Sequence, residues 1–323
     1  MAVGNKDDFR IHNDIAMASY LERLTMNSDG FNGASNGALR MMSDGIIGDF
    51  KEEDFVKEMA SAKIIKHRDP SGLGAITPEK FEEDYKVSPK LNTYAYLSQT
   101  WDAFKKKGHS AEAFSVLVGE AVADAQAEWA LNTAITGGTG AIKSGDAKMN
   151  IGDVAKDIAY TDFPKIMGAF GDKLGSIKML VMHSSTYYNL MGTAVAEKLT
   201  NIAGATIMSA SNPTFGIPVL VTDSPSLVEG AGKNILCLTE NAIIMTNSED
   251  TSISAGVVRG KENLILETQY EMACNIDVKG YGLSTAGQAI ISPTDAQLAT
   301  KANWKQSVTD VKNTAGVLFV CKT

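Results

Sequence analysis

The sequence predicts an α+β protein of elongated form, and three stretches support this fold class. Residues 110–136 have the apolar spacing of one long helix. Residues 264–279 alternate between apolar and polar side chains, which is typical of one long strand. Between about 145 and 240, short strand and helix patterns follow one another and indicate a compact mixed α/β region. The helix would be about 40 Å long and the strand roughly 50 Å long, so we expect them to lie against each other.

The composition is that of an ordinary globular protein and argues against several classes. The chain has 323 residues, of which 44% are hydrophobic and 21% charged, so disorder is not expected. A formal net charge of -8 argues against a surface that grips nucleic acid, although not against a protein that encloses it. No stretch has the apolar length of a membrane span, and the N-terminus is not a signal peptide. Three cysteines without CxxC spacing fit a reducing compartment and no zinc site.

The long helix is the element around which the other stretches are arranged. Ser110 is a suitable N-cap, and Gly137 followed by Gly138 is the predicted stop signal. The face opposite the apolar stripe carries small residues, namely Ser115, Gly119, Ala123, Ala127 and Ala130. Beside the apolar stripe lie three acids, Glu120, Asp124 and Glu128. Either alanine serves helix propensity and the acids serve solubility, or the helix is a central rod with neighbours on more than one side.

The residues before this helix hold too few large apolar side chains to form a core of their own. We expect a short helix over 13–24, an irregular stretch over 27–36 and a further helix over 53–62. Residues 63–92 are charged and contain three prolines, which predicts a long projecting hairpin. Such a hairpin is either mobile or laid over a neighbour. We also expect another subunit to hold the N-terminal arm.

The residues after the long helix predict the compact region and a tail. A loop is expected over 137–150, and a short helix starting at Ser292 or Thr294 precedes a final strand over 316–321. Helices are further predicted over 153–160, over 162–174, and from Ser184 or Ser185 to about 199. Strands are predicted over 177–183, 217–222, 235–238 and 242–246.

Motifs for catalysis and ligand binding match poorly, so no catalytic, cofactor-binding or metal-binding residue is predicted. Residues 137–144 resemble a phosphate loop, but isoleucine stands where that motif needs glycine, and a glycine-rich helix terminus is preferred. His183 and Asp223 end strands and are the two residues that an α/β enzyme would use, although structural and turn roles are preferred for them. Asp277 and Lys279 are expected to form a solvated or interfacial ion pair.

Several stretches resemble one protein family in the same order along the chain. That family's N-terminal arm is matched by FNGASNGALRMM and GDFKEEDF, and the start of its extended loop by VKEMASAKIIKHRDP. Its A domain is matched by FGDKLGSIKMLVMHSSTYYNL and GIPVLVTDSPSL, and its long strand and tail by KENLILETQYEMACNIDVKGYG, SPTDAQLATKANW and VKNTAGVLF. On these stretches the chain resembles the major capsid proteins of tailed bacteriophages, in the gene-13-like group with the Hong Kong 97-type fold.

This resemblance implies a domain plan and a function. The implied plan is an N-terminal arm (1–59), an extended loop or E-loop (60–95), a P domain (96–139 and 239–282), an A domain (140–238) and a C-terminal tail (283–323). The P domain would contain the long helix as its spine helix. The implied function is structural: hexamers and pentamers of the chain would form an icosahedral head that encloses packaged double-stranded DNA.

The resemblance also implies contact residues and partners. The E-loop would lie over a neighbouring subunit, with intersubunit contact candidates Lys63, Lys66, Arg68, Lys80, Lys86 and Lys90. The acidic stripe of Glu120, Asp124 and Glu128 would face the DNA from the inner side of the shell. Besides itself, the chain would meet a separate scaffolding protein, a portal and a decoration protein, but no membrane. It would assemble in the bacterial cytoplasm and end in the virion, without a covalent crosslink between subunits.

Three other interpretations are open for this sequence. An encapsulin-type cellular compartment would share the fold and differ in its genetic context. A soluble α/β hydrolase built on residues 145–240 would rely on His183 and Asp223. A tail or decoration protein would not be expected to contain both the long helix and the long strand.

Overall fold

The computed structural model describes residues 13–45, 48–56, 65, 68, 70–72, 74–75, 78, 83–100, 111–171, 173–192, 217–230, 232–248, 251–258, 262 and 265–322. Within these ranges the helices are α1 (Asn13–Ala34), α2 (Ala111–Ser144), α3 (Phe163–Gly168), α4 (184–192), α5 (Thr285–Gln288) and α6 (Asp295–Ala299). The strands are β1 (Leu39–Asp44), β2 (Phe50–Val56), β3 (Glu83–Thr100), β4 (Asn150–Gly152), β5 (Ile177–His183), β6 (Val219–Thr222), β7 (Val228–Glu229), β8 (Gly232–Thr239), β9 (Ile243–Ser248), β10 (Ser252–Val258), β11 (Ile265–Val278), β12 (Tyr281–Leu283), β13 (Trp304–Gln306) and β14 (Gly316–Lys322).

An eight-stranded sheet is built around the long strand β11. On one side β11 pairs antiparallel with β3, and on the other side it pairs antiparallel with β10 and then β9. β1 lies parallel beyond β9, while β12 and β13 continue the sheet past the C-terminal end of β11. β3 is long enough to have two partners: residues 83–89 pair with β2, and residues 90–100 pair with β11.

The long helix α2 packs on this sheet, and α1 lies along it. One cluster of buried side chains joins the three elements: Tyr20 and Leu24 from α1, Val118 and Val122 from α2, and Tyr270 from β11. The predicted packing of the long helix against the long strand is therefore confirmed. The apolar face of α2 and the apolar face of β11 are buried against each other.

A second sheet of six strands lies at the C-terminal end of α2. Its order is β4-β14-β8-β5-β6, with β7 paired to β8. All eight residues of β8 are buried, so both faces of this central strand are covered. Ile135 and Ile142 of α2 belong to the same core cluster as Leu236 and Leu318 of the sheet.

Helix α2 does not end at Gly137 and Gly138, as predicted, but continues to Ser144. At Gly138 and at Gly140, neighbouring atoms come too close for a larger residue. A methyl group at Gly138 would overlap the side chain of Ile243, and one at Gly140 would overlap the carbonyl oxygen of Leu298. Each glycine costs about 1 kcal/mol of helix propensity, and tertiary packing outweighs that cost. The loop predicted over 137–150 is correspondingly wrong as far as residue 144.

Helix α1, in the N-terminal stretch, packs on its own chain, and the expectation that another subunit holds the arm stays a prediction. Helix α1 runs through the stretch predicted to be irregular and ends at Ala34. Its side chains pack against α2 and β11, and Phe31 packs against the larger core. A polar, glycine-containing sequence is therefore helical here because another helix supplies its partners.

Other element boundaries also differ from the predictions. Residues 53–56 belong to β2 rather than to a helix, and the rest of that predicted helix, 57–62, lies outside the described residues. Residues 153–159 form turns and irregular backbone instead of a helix, and the helix predicted over 162–174 shortens to α3. The strands predicted over 177–183 and 316–321 are confirmed as β5 and β14. Strand β10 was not predicted at all.

Candidate functional site

The first contact joins helix α1 to the long helix α2. Gly119 lies where α1 crosses, and a methyl group there would overlap the hydroxyl of Ser19 and the carbonyl oxygen of Ala16. The Tyr20 ring lies 5.9 Å from the Tyr270 ring of β11, and its hydroxyl donates a hydrogen bond to Gln126. The small-residue face of α2 thus has a neighbour, as the central-rod interpretation predicts.

The same contact reaches the predicted acidic stripe. Arg23 Nε donates a 2.8 Å hydrogen bond to Asp124 Oδ1, and Asn27 Nδ2 donates another of 2.8 Å to the same oxygen. Arg23, followed by Asn27, holds the pKa of the Asp124 carboxyl below its usual range. Glu120 is half-buried and Glu128 is exposed on the same helix. The middle acid of the stripe is therefore partly neutralised by the chain's own arm.

Sequence reasoning missed Arg23 and Asn27 as partners of Asp124. The signal available was their spacing of four residues on a helix, which places both side chains on one face. The prediction of an irregular stretch from residue 27 hid that spacing.

The second functional contact fixes the base of the β2–β3 hairpin. Lys86 of β3 is buried, and its ammonium donates to the carboxylate of Asp277 near the end of β11. Burial lowers the pKa of Lys86 to about 8, and the Glu53 carboxylate opposes that shift. The stem of Lys86 passes close to Gly282. The predicted pair of Asp277 with Lys279 is wrong: Lys279 Nζ instead donates to the Glu240 carbonyl oxygen at 3.1 Å.

The remaining intersubunit candidates lie apart from Lys86. Lys90 lines an open groove of about 440 Å³ with Asn92, Tyr94 and Glu271 on the polar face of the sheet. Tyr94 is 75% exposed in this face. Arg68 is exposed. The other three candidates, Lys63, Lys66 and Lys80, lie outside the described residues.

The two residues considered for an enzyme do come together. His183 Nε2 lies 3.8 Å from Asp223 Oδ1 across the parallel pair β5 and β6. Ser184 donates to the same Asp223 oxygen, and the ammonium of Lys233 donates to Ser185, which also lies 3.0 Å from His183 Nδ1. These contacts tie the start of α4 to two strand ends, and the Asp223 side chain is 76% exposed. These residues form a hydrogen-bonded polar cluster at the protein surface.

The phosphate-loop resemblance over 137–144 does not correspond to a loop in the structure. These residues are the last two turns of α2, and Lys143 is paired with Glu229 of β7. That ammonium holds the pKa of Glu229 below its usual range. Within the described ranges, no group of three or more His, Cys, Asp and Glu side chains could hold a metal ion. None of the described helices is long and apolar enough to cross a membrane.

The polar contacts described above hold the helices and strands of the chain together. The chain belongs to the Gp13-like family, described as major capsid protein 13-like, because the family model matches residues 8–318. The resemblance predicted from the sequence is therefore confirmed. Members of this family are structural shell subunits of the virion and not enzymes, and they self-assemble.

Solved structures of phages show similarity in fold. The chain is similar to a structure of Mycobacterium phage Cain, with a TM-score of 0.51 and 10% identity over 90% of this chain and 89% of that one. The capsid of Ralstonia phage GP4 has a TM-score of 0.49 and 9% identity, over 77% of this chain and 84% of that one. The acidic stable capsid of Helicobacter pylori bacteriophage KHP30 has a TM-score of 0.49 and 11% identity, over 90% and 89%. No curated protein matches the sequence significantly.

Proposed function

We propose that the chain builds an icosahedral phage head on the Hong Kong 97-type plan. The family match over residues 8–318 carries this proposal. The packing of α2 on β11 supports a P domain, and the separate six-stranded sheet supports an A domain to which β14, from the predicted C-terminal tail, adds a strand. Copies of the chain would meet as hexamers and pentamers, which close into a shell around double-stranded DNA.

The β2–β3 hairpin is proposed as the arm that reaches a neighbouring subunit. Its base is rigidly attached, because β3 continues into the central sheet and Lys86 is bound to Asp277. Lys86 is thus engaged within its own subunit and is left out of the intersubunit set. Lys63, Lys66, Arg68, Lys80 and Lys90 remain the proposed contact residues.

The acidic stripe is proposed to line the inner face of the shell. Asp124 is bound by α1, so Glu120 and Glu128 would carry the repulsion toward DNA. A lining that gripped DNA tightly would impede its packing and release. Reversal of both charges to lysine should lower shell yield or DNA content, measured by nuclease-protected DNA per shell. Unchanged infectious virions would contradict this role.

The proposed partners are a scaffolding protein, a portal and a decoration protein, with assembly in the host cytoplasm. They follow from the family resemblance. A portal gene and a terminase gene beside this one would favour the phage head, whereas a gene for a cargo enzyme would favour an encapsulin-type compartment.

Negative-stain electron microscopy of the purified chain, after sizing by light scattering, tests the proposed function. We expect shells, or pentamers and hexamers that convert to shells when a scaffolding protein is added. A subunit that stays monomeric or dimeric under every condition would contradict the proposal.

A further inference from the structure

Strand β10 forms an edge of the larger sheet. It pairs antiparallel with β11 along its whole length, from Ser252 opposite Glu271 to Val258 opposite Ile265. Among the described residues, no strand pairs with its other edge. The backbone groups along that edge therefore form a template onto which another strand can pair.

The composition of β10 is unusual for an exposed edge. Its sequence, SISAGVV, has no charged residue and no proline, and its Val257 is 43% exposed. Proteins commonly protect exposed edges with charges or proline. Two other strands that lie at edges of this sheet have such charges: β2 carries Lys51, Glu52, Glu53 and Asp54, and β1 carries Arg40 and Asp44.

The sequence on either side of β10 favours one kind of occupant. In the sequence, Glu249 and Asp250 precede the strand, whereas Arg259, Lys261 and Glu262 follow it, so the preceding segment is acidic and the following one has a net positive charge. The antiparallel order of two copies matches each segment with the one of opposite net charge. A two-fold axis would set any charged residue near the middle of the strand against its own copy, and this strand has none.

We propose that β10 pairs antiparallel with β10 of a second copy of this chain, across a two-fold axis near Ala255. The two central sheets would then become one continuous sheet across two subunits. In this register Ser254 lies opposite Gly256 of the second copy. The proposal rests on the proposed function, because shell assembly brings copies together and the strand pair adds one specific contact to it.

The proposed strand pair buries little surface, so it should be observed in assembled shells and not between isolated subunits. Seven residues per copy bury far less than the roughly 1,200 Å² of a stable interface. Isolated subunits should therefore not dimerise through β10. Inside a shell the other contacts hold the two strands at a high effective concentration, so that the pair forms.

Added charge on the edge tests the proposal. In the variant Ser254→Lys with Gly256→Lys, each lysine would face a lysine of the second copy. Both positions accept a side chain, because Ser254 is exposed and a side chain at Gly256 meets no atom within 4 Å. The matched control is Gln269→Lys, an exposed position on the same face of the central strand β11. The edge variant should keep its circular dichroism spectrum and lose at least ten-fold in shell yield, while the control assembles normally.

Cysteine crosslinking tests the register independently. The three native cysteines are buried, so their background is low. A Ser254→Cys, Gly256→Cys double variant, oxidised with diamide as assembled shells, should give disulfide-linked dimers, whereas each single variant should not. Shells of the double variant without dimers, or normal assembly of the lysine edge variant, would overturn the proposal. A wild-type chain that forms no shells would overturn the proposed function, and this inference with it.

Discussion

The buried ion pair at the base of the hairpin gives the sharpest prediction. Substitution of Asp277→Asn leaves the Lys86 ammonium buried without a carboxylate in contact. The two side chains are only 11% and 14% exposed. Removal of one partner from a buried pair costs about 3–5 kcal/mol, so the variant should lose that much unfolding free energy at pH 7.

The pH dependence of the unfolding free energy, compared between variant and wild type, reports on the Lys86–Asp277 ion pair. Burial lowers the pKa of Lys86 from its ordinary value of 10.5 to about 8 in the folded chain. Between those values the unfolded chain binds more protons than the folded chain, so stability rises with pH. That pKa is the wild-type value, so wild-type stability should itself rise by about 3 kcal/mol over this range. Loss of the Asp277 carboxylate lowers the pKa of Lys86 further, so the stability of the Asp277→Asn variant should rise more than that of wild type between pH 7 and pH 10.

Urea unfolding of unassembled subunits, followed by circular dichroism at pH 7 and pH 10, measures both effects. The matched control is Glu271→Gln, an exposed acid on the same strand, which should change stability by less than about 0.5 kcal/mol. The double variant Lys86→Met with Asp277→Leu should stay near wild type, since it leaves no buried charge. An Asp277→Asn variant that is as stable as wild type at pH 7, or whose stability rises with pH no more than that of wild type, would refute the reasoning.

Three further predictions concern the contact between α1 and α2. Gly119→Ala should cost about 1–3 kcal/mol of unfolding free energy, because its methyl group overlaps α1. The control Gly30→Ala has no atom near the added methyl group and should be neutral or slightly stabilising. Urea unfolding compares the two variants. Tyr20→Phe should cost about 0.5–1.5 kcal/mol for its lost hydrogen bond in the same assay. Arg23 holds the pKa of Asp124 below its usual 3.8, so this contribution is present above that pH and is lost as the pH falls further. Asp124→Asn should therefore reduce the sensitivity to acid below pH 3.8 in a circular dichroism titration, and an unchanged acid transition would contradict this.

The sequence predicted the elements whose pattern is long and regular. The alternation over 264–279 corresponds to β11 (Ile265–Val278), and a mostly apolar run located β5. Strand β10 was not predicted from the sequence, because its serines, alanine and glycine give a weak hydrophobic alternation. Its strand state comes from pairing with β11, the next strand along the chain, and the hydrophobic pattern of β10 alone does not contain that contact.

The candidate contacts were predicted less well than the elements. Lysines in a charged hairpin look alike in the sequence, yet Lys86 is buried and Lys90 lines an open groove. The difference is one of register: β3 passes from β2 to β11 just beyond Lys86, and that position brings Asp277 within reach. Register between strands far apart in the chain is set by the whole sheet.

The glycines of α2 show why a correct local rule gave a wrong boundary. Glycine after a periodic stretch commonly ends a helix, because it adopts the left-handed conformation at the C-terminus. In this chain Gly138 and Gly140 are helical, and each accepts a neighbour that a methyl group would exclude. Gly119 does the same for α1, nearly twenty residues earlier. The small residues along the helix therefore share one cause, which is close approach by other parts of the chain. A long helix with neighbours on several sides needs such positions along its whole length, and Gly138, one of the two glycines predicted as its end, is among them.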